Sequence, residues 1–284
     1  MNMKLMMIRT YFGISSMLNP EKAARKSFNI FQKVRKKGIR DREVPFYQDA
    51  RKFKVQSANE AIDCFELGDP NGGLVILVHG WDSNAGSMSK LAVKFATKGF
   101  RVISFNLPGH AFYKSSSTNL LECKNAMIDL LNFIGPKEPV SVVAHSFGAA
   151  VVANALSESG YAADRMVFLT NPNKMEDIFT EFKEIIGLRQ KAYRALVRHT
   201  SQLLGAPIQT LDVSANLKKV KFDKLLLIHD QHDQVLPHTN SFEINSDHKN
   251  VQLITMEKVG HYRMLWNEEV TNRSVAFVEG KEVL

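Results

Sequence analysis

The stretch Val142-Val143-Ala144-His145-Ser146-Phe147-Gly148-Ala149-Ala150 decides how this chain is read. β-Branched residues lead into His145, and small residues suited to a helix begin after Ser146. A serine at such a junction is held on a sharp strand-to-helix turn that lifts its hydroxyl clear of the backbone, and the turn accepts only small neighbours. Ala144 and Gly148 occupy the two crowded positions, where the usual pattern is Gly-x-Ser-x-Gly. Ser146 is therefore a candidate nucleophile. Serines that end strands are also common in ordinary loops, so the assignment depends on partners elsewhere in the chain.

A serine hydroxyl attacks well only when a neutral imidazole takes its proton, and that imidazole needs a carboxylate to fix its tautomer. Both occur late in the sequence. Lys224-Leu225-Leu226-Leu227-Ile228-His229 reads as a buried strand, followed by Asp230-Gln231-His232-Asp233-Gln234-Val235-Leu236-Pro237. After the next apolar run, Val251-Gln252-Leu253-Ile254-Thr255, a loop carries Val259-Gly260-His261-Tyr262. His261 is the candidate base and Asp233 the candidate acid, with Asp230 competing for that role. The resulting chain order is Ser, Asp, His.

With these residues in this order, the chain resembles the α/β-hydrolase superfamily, serine esterase type, from about Leu74 to Phe277 and more loosely from Phe53. Four blocks carry the likeness: Val78-His79-Gly80-Trp81, Asn106-Leu107-Pro108-Gly109-His110, the serine turn, and the loops of Asp233 and His261. The family usually shows Asp-Leu-Pro-Gly-His-Gly in the second block, so Asn106 and Ala111 depart from it. The resemblance implies an oxyanion hole built from the backbone N–H groups of Trp81 and Phe147, with Gly80 letting its loop approach the serine. It favours Asp233 over Asp230, because Asp233-Gln234-Val235-Leu236-Pro237 fits the family pattern Asp-x-Val-x-Pro. It also implies a lid over the site, whose Phe179, Phe182 and Ile186 would line an acyl pocket with Trp81.

The expected activity is cleavage of carboxylic esters of small to medium acyl groups through an acyl-enzyme, with no cofactor and no metal. Strand-to-loop spacing of His229, Asp230, His232 and Asp233 lacks the helical i, i+4 placement of a zinc-binding pair. His79, His110 and His145 are read as imidazoles that tie loops together. Two alternatives remain open. His79-Gly80-Trp81 followed by Asn84-Ala85 is similar to pimeloyl-carrier-protein methyl ester esterases, and Lys183, Arg189, Lys191, Arg194 and Arg198 would then grip an acidic carrier in ester or thioester hydrolysis. The other is a catalytically silent binding protein of the same fold, against which an intact Ser146, Asp233 and His261 argue.

Apolar strand signals fall near 52–56, 61–67, 74–79, 101–105, 140–145, 165–169, 224–229 and 251–255, with helical signals between them. This alternation predicts an α/β fold: a doubly wound, mostly parallel sheet of about eight strands with helices on both faces. Residues 52–284 form that domain, and two amphipathic helices within about 171–220 make a small helical cap. With 284 residues and 44% hydrophobic content, one large core is expected.

The net charge of +8 is confined to the segment 21–54, which holds twelve Lys/Arg against four Asp/Glu, while the remainder carries 25 of each sign. Residues 1–51 are read as a basic helical N-terminal extension. Phe28, Ile30, Phe31 and Val34 suit docking onto the main domain, whereas Met3, Met7, Ile14 and Leu18 near helical spacing suit peripheral contact with an anionic membrane. No nucleic-acid motif accompanies the charge. Leu5-Met6-Met7-Ile8 is too short for a signal-peptide core or a membrane span, and Cys64 and Cys123 form no CxxC. A cytoplasmic location is the expectation, with a membrane-peripheral one as the alternative.

Overall fold

The computed structural model describes residues 3–58 and 60–283. The chain opens with helices α1 (Met3–Leu18), α2 (Pro20–Phe31) and α3 (Val44–Asp49), then strands β1 (Arg51–Val55), β2 (Ile62–Gly68) and β3 (Leu74–Val78). Next come α4 (Ser89–Ala96), β4 (Arg101–Phe105), α5 (Leu120–Ile134), β5 (Val140–His145), α6 (Phe147–Ser159) and β6 (Ala163–Leu169). The insertion helices α7 (Met175–Ile186) and α8 (Gln190–Leu204) precede α9 (Val213–Leu217), β7 (Phe222–Asp230), α10 (Thr239–Asp247), β8 (Val251–Met256) and α11 (Glu268–Val278).

The eight strands form one sheet in the order β1-β2-β4-β3-β5-β6-β7-β8. β2 pairs antiparallel with both β1 and β4, and every other neighbouring pair is parallel. Parallel strands covered on both faces read as unbroken apolar runs, and β5 is buried at all six positions. Alternation along a strand then splits its side chains between two cores. Ile76 and Val78 of β3 join Val142 and Ala144 of β5 under α5, α6 and α9. Val75 and Leu77 join Val143 on the other face, under α3, α4 and α11.

Of the segment between β6 and β7, only α7 and α8 stand away from the sheet layers. Val213 and Leu217 of α9 belong to the same core as α6, so the later part of the expected cap is ordinary sheet cover. A third apolar cluster lies between α7–α8 and the N-terminal helices, with Phe12, Ala23, Ala24 and Phe28 packed among Phe179, Phe182, Ile186 and Leu196. Phe31 stacks on Phe179 with ring centroids 4.8 Å apart and meets Phe182 edge-on at 5.1 Å. Beyond α2 the chain runs across the sheet's end: Val34 N–H donates to Ser116 O at 2.9 Å and Thr118 N–H to Gln32 O at 3.0 Å. Phe46, Tyr47 and Ala50 then enter the core shared by α4 and α11. Residues 3–50 are thus built into the fold along three of its surfaces.

α6 sits so close to β3 that a Cβ on Gly148 would lie 2.5 Å from Val78 O and 2.7 Å from His79 O. Backbone carbonyls of a central strand cannot give way. Gly148→Ala is therefore expected to cost at least the ~1–3 kcal/mol of ordinary overpacking, read as a lowered melting temperature in a thermal scan.

Candidate active site

Three loops at the C-terminal ends of parallel strands converge here, which is where open α/β sheets place their sites. Ser146 follows β5 with φ 52° and ψ −122°, a conformation costly for a residue with a Cβ. The turn is fixed by its own bonds, Ser146 N–H to Leu169 O at 2.9 Å and Ala149 N–H to Ser146 O at 3.0 Å. The loop after β3 closes on it, and a Cβ on Gly80 would stand 3.0 Å from Ser146 Cβ and 2.9 Å from His145 Nδ1. Small residues here are therefore a packing requirement.

His261, in the loop after β8, reaches both partners. Its Nε2 lies 3.0 Å from Ser146 Oγ and its Nδ1 lies 2.8 Å from Asp233 Oδ2. With Nδ1–H donating to the carboxylate, the Nε2 lone pair faces the serine hydroxyl. Ser146 is only 9% exposed and His261 6%. Burial pushes the Asp233 carboxyl up, but the His261 contact and the amides of Val235 and Leu236 outweigh it and hold the group below the usual aspartate value. Those amides donate to Oδ1 at 2.7 and 3.1 Å, leaving Oδ2 for the imidazole.

Asp230 is turned elsewhere. Its Oδ1 accepts from His232 N–H at 2.7 Å, and its Oδ2 accepts from Val259 N–H at 2.5 Å and Gly260 N–H at 2.8 Å. This carboxylate clamps the loop that carries His261 to the end of β7. Despite burial, the three amides keep its pKa below the ordinary value.

Four further histidines near the site are structural ties. His145 donates from Nε2 to His261 O at 3.1 Å, and burial lowers its pKa to about 3, so it stays neutral. His79 donates from Nδ1 to Gly80 O at 2.7 Å and accepts Leu107 N–H at 3.0 Å. His110 accepts Asp82 N–H at 3.2 Å. His229 bonds Ser241 Oγ at 2.7 Å and Leu236 O at 3.0 Å, and its Nε2 stands 3.6 Å from Asp233 Oδ2, farther than the His261 nitrogen. Among the described residues no group of three His, Cys, Asp or Glu is arranged to hold a metal ion.

Trp81 and Phe147 are half-buried and meet edge to face at 5.0 Å beside the serine, with His110 against the indole at 5.3 Å. Phe179, Phe182 and Ile186 are placed differently from the acyl-pocket lining expected of them. Their side chains are buried in the cluster with the N-terminal helices, because the extension supplies the apolar partners that a lid face otherwise lacks. The basic insertion residues are also partly engaged: Lys183 with Glu184 at 2.8 Å, Arg198 with Glu21 at 2.8 Å, and Arg189 with Gly13 O at 3.0 Å.

Two residues with supporting roles are not marked by the sequence as site residues. Asp82 adopts φ 54° directly after Trp81, and its carboxylate accepts Arg35 N–H from the extension at 2.7 Å. Asn84 is buried between Tyr47, whose hydroxyl donates at 2.7 Å, and Glu43, which accepts at 2.9 Å. The two departures in the second block also gain a meaning. Asn106 Oδ1 accepts Ala85 N–H at 2.9 Å, and Ala111 sits at φ 45°, a conformation that glycine adopts without strain.

Asp230→Asn should separate loop anchoring from chemistry. Since the folded pKa of Asp230 lies below its unfolded value, its stabilisation is present above the unfolded pKa of about 3.9 and fades as pH falls through the folded value. Urea midpoints should show the wild type ahead of Asp230→Asn at pH 7, with the gap narrowing in acid.

Solved structures of similar shape are numerous. Est1E from Butyrivibrio proteoclasticus superposes with a TM-score of 0.64 at 16% identity, covering 81% of this chain and 98% of its own. A membrane phospholipase A described as a bacterial virulence factor gives 0.64 at 16% identity, over 98% and 97%. A meta-cleavage product hydrolase from Pseudomonas fluorescens gives 0.59 at 18% identity, over 82% and 99%. No curated protein matches the sequence. Residues 75–274, which span the sheet from β3 through most of α11 and include all three convergent loops, match the alpha/beta hydrolase family, and this chain belongs to that family.

Proposed function

We propose that the protein is a serine hydrolase that cleaves carboxylic esters of small to medium acyl groups through an acyl-enzyme. The observation that carries this reading is the pair of contacts made by one imidazole, with Ser146 Oγ on one nitrogen and Asp233 on the other. Ser146 Oγ attacks the ester carbonyl as His261 Nε2 accepts its proton. The ester C–O bond breaks when His261 returns that proton to the departing alkoxide. Water then attacks the acyl-enzyme by the same route in reverse, and the acid leaves. Asp233 stays ionised throughout, which suits its depressed pKa, and stabilises the imidazolium that forms in each half-reaction.

The oxyanion is assigned to the N–H groups of Trp81 and Phe147. Supporting this, Phe147 is the first residue of α6, and the Gly80 loop approaches the serine within van der Waals distance. One such donor is worth about 2.7–4 kcal/mol in the transition state. The ion pairs of Lys183 with Glu184 and of Arg198 with Glu21 favour a small-molecule ester over an acidic carrier as the substrate.

A fluorophosphonate probe should label the native chain and leave Ser146→Ala unlabelled. An unlabelled native chain would overturn this reading in favour of a silent binding protein. On p-nitrophenyl esters of graded acyl length, Asp233→Asn should lower turnover by something on the order of 10⁴. Asp230→Asn should retain much more, and the reverse order would reassign the acid.

A further inference from the structure

α1 carries apolar side chains on both sides, and the fold uses one of them. Phe12 and Ser16 are buried, and Leu5 and Ile8 are half-buried, on the side facing the insertion helices. The opposite side exposes Met3, Met6, Met7, Tyr11, Ile14, Met17 and Leu18, from 44% at Tyr11 to 80% at Leu18. At about 100° per residue these seven occupy one arc of roughly 140°, centred opposite Phe12 and Ile8. Thr10, the polar residue within the arc, turns its hydroxyl back onto Met6 O at 3.0 Å.

The borders of this arc are basic. Lys4 and Lys26 flank it on the Tyr11 side, where the Lys26 ammonium bonds the Tyr11 hydroxyl at 2.7 Å. Arg9 and Arg189 flank the other side, with Arg9 Nη1 on Ile185 O at 3.1 Å and Arg189 Nε on Gly13 O at 3.0 Å. All four residues are exposed, and the first twenty residues contain no Asp or Glu.

We propose that the outward face of α1 docks on an anionic phospholipid bilayer, with the helix lying in the plane of the interface. An apolar arc between basic borders is the arrangement of interfacial helices, whose apolar side sinks ~5–10 Å while the cations stay at the headgroups. Each Lys or Arg near an anionic surface adds about 1 kcal/mol. Among the described residues no helix is long and apolar enough to cross a membrane, so the contact is peripheral. A second copy of the chain is a poorer occupant. A 16-residue helix is ~24 Å long and ~10–12 Å wide, so one face offers roughly 300 Å², against the ~800 Å² per partner of a stable interface. A bilayer requires no such matched area.

The test is flotation of the full chain with phosphatidylglycerol–phosphatidylcholine vesicles and with pure phosphatidylcholine vesicles. The native chain should float with the anionic vesicles and bind the neutral ones at least about tenfold more weakly, a difference that two flanking cations suffice to produce. A variant carrying Met7→Asp and Ile14→Asp should keep the native melting temperature, since both sites are exposed, and lose at least tenfold in vesicle binding. The proposal is overturned if the native chain stays with the unbound fraction, or if the double variant floats as well as the native chain. It is equally overturned if sedimentation shows a native dimer that the double variant dissolves while neither protein floats.

Discussion

The positive-φ backbone of Ser146 is the constraint on which the rest of the structure depends. A residue with a Cβ in that conformation costs on the order of 1–3 kcal/mol and persists only where its surroundings over-determine it. Here they do. β5 is the central strand of the sheet, buried at every position, and its neighbours β3 and β6 both reach the turn. Leu169 O holds the Ser146 amide, while Gly80 and Gly148 bring two other backbone segments nearer than any side chain permits. The serine is thus presented from the buried middle of the sheet.

Around that fixed point, two carboxylates three residues apart divide the work of placing an imidazole. Asp230 uses both oxygens on main-chain amides and anchors the β8 loop to β7. Asp233 spends one oxygen on its own loop and presents the other to His261. Neutral histidines complete the scaffold. Burial lowers the pKa of His79, His145 and His229, so each links loops as a neutral hydrogen-bonding group without adding charge. Of these, His145 ties the residue before the serine to the carbonyl of His261 itself.

The N-terminal segment extends this support outward. Its first two helices cover the apolar faces of α7 and α8, and its irregular stretch lays Arg35 N–H on the Asp82 carboxylate beside Trp81. Glu43 and Tyr47 then hold Asn84 in the same loop. The basic excess of the chain therefore belongs to a segment that braces the site and also reaches solvent.

How much of this was legible in the sequence follows from the range of each interaction. Unbroken apolar runs such as Leu225–Ile228 and the small residues around Ser146 identify buried parallel strands and a strand-to-helix turn, because backbone and burial requirements act locally. Side-chain direction across loops is a different matter. Spacing leaves Asp230 and Asp233 equivalent in kind, and only folding sets one against amides and the other against an imidazole. Likewise Phe179, Phe182 and Ile186 announce an apolar helix face but not its partner, since burial is non-directional and any complementary surface satisfies it. Asp82 left no local mark and Asn84 only a family likeness, as the side-chain partners that define their roles lie more than thirty residues away in sequence. Local periodicity and turn chemistry thus determined the elements and their order, while contacts between distant segments decided which groups face one another.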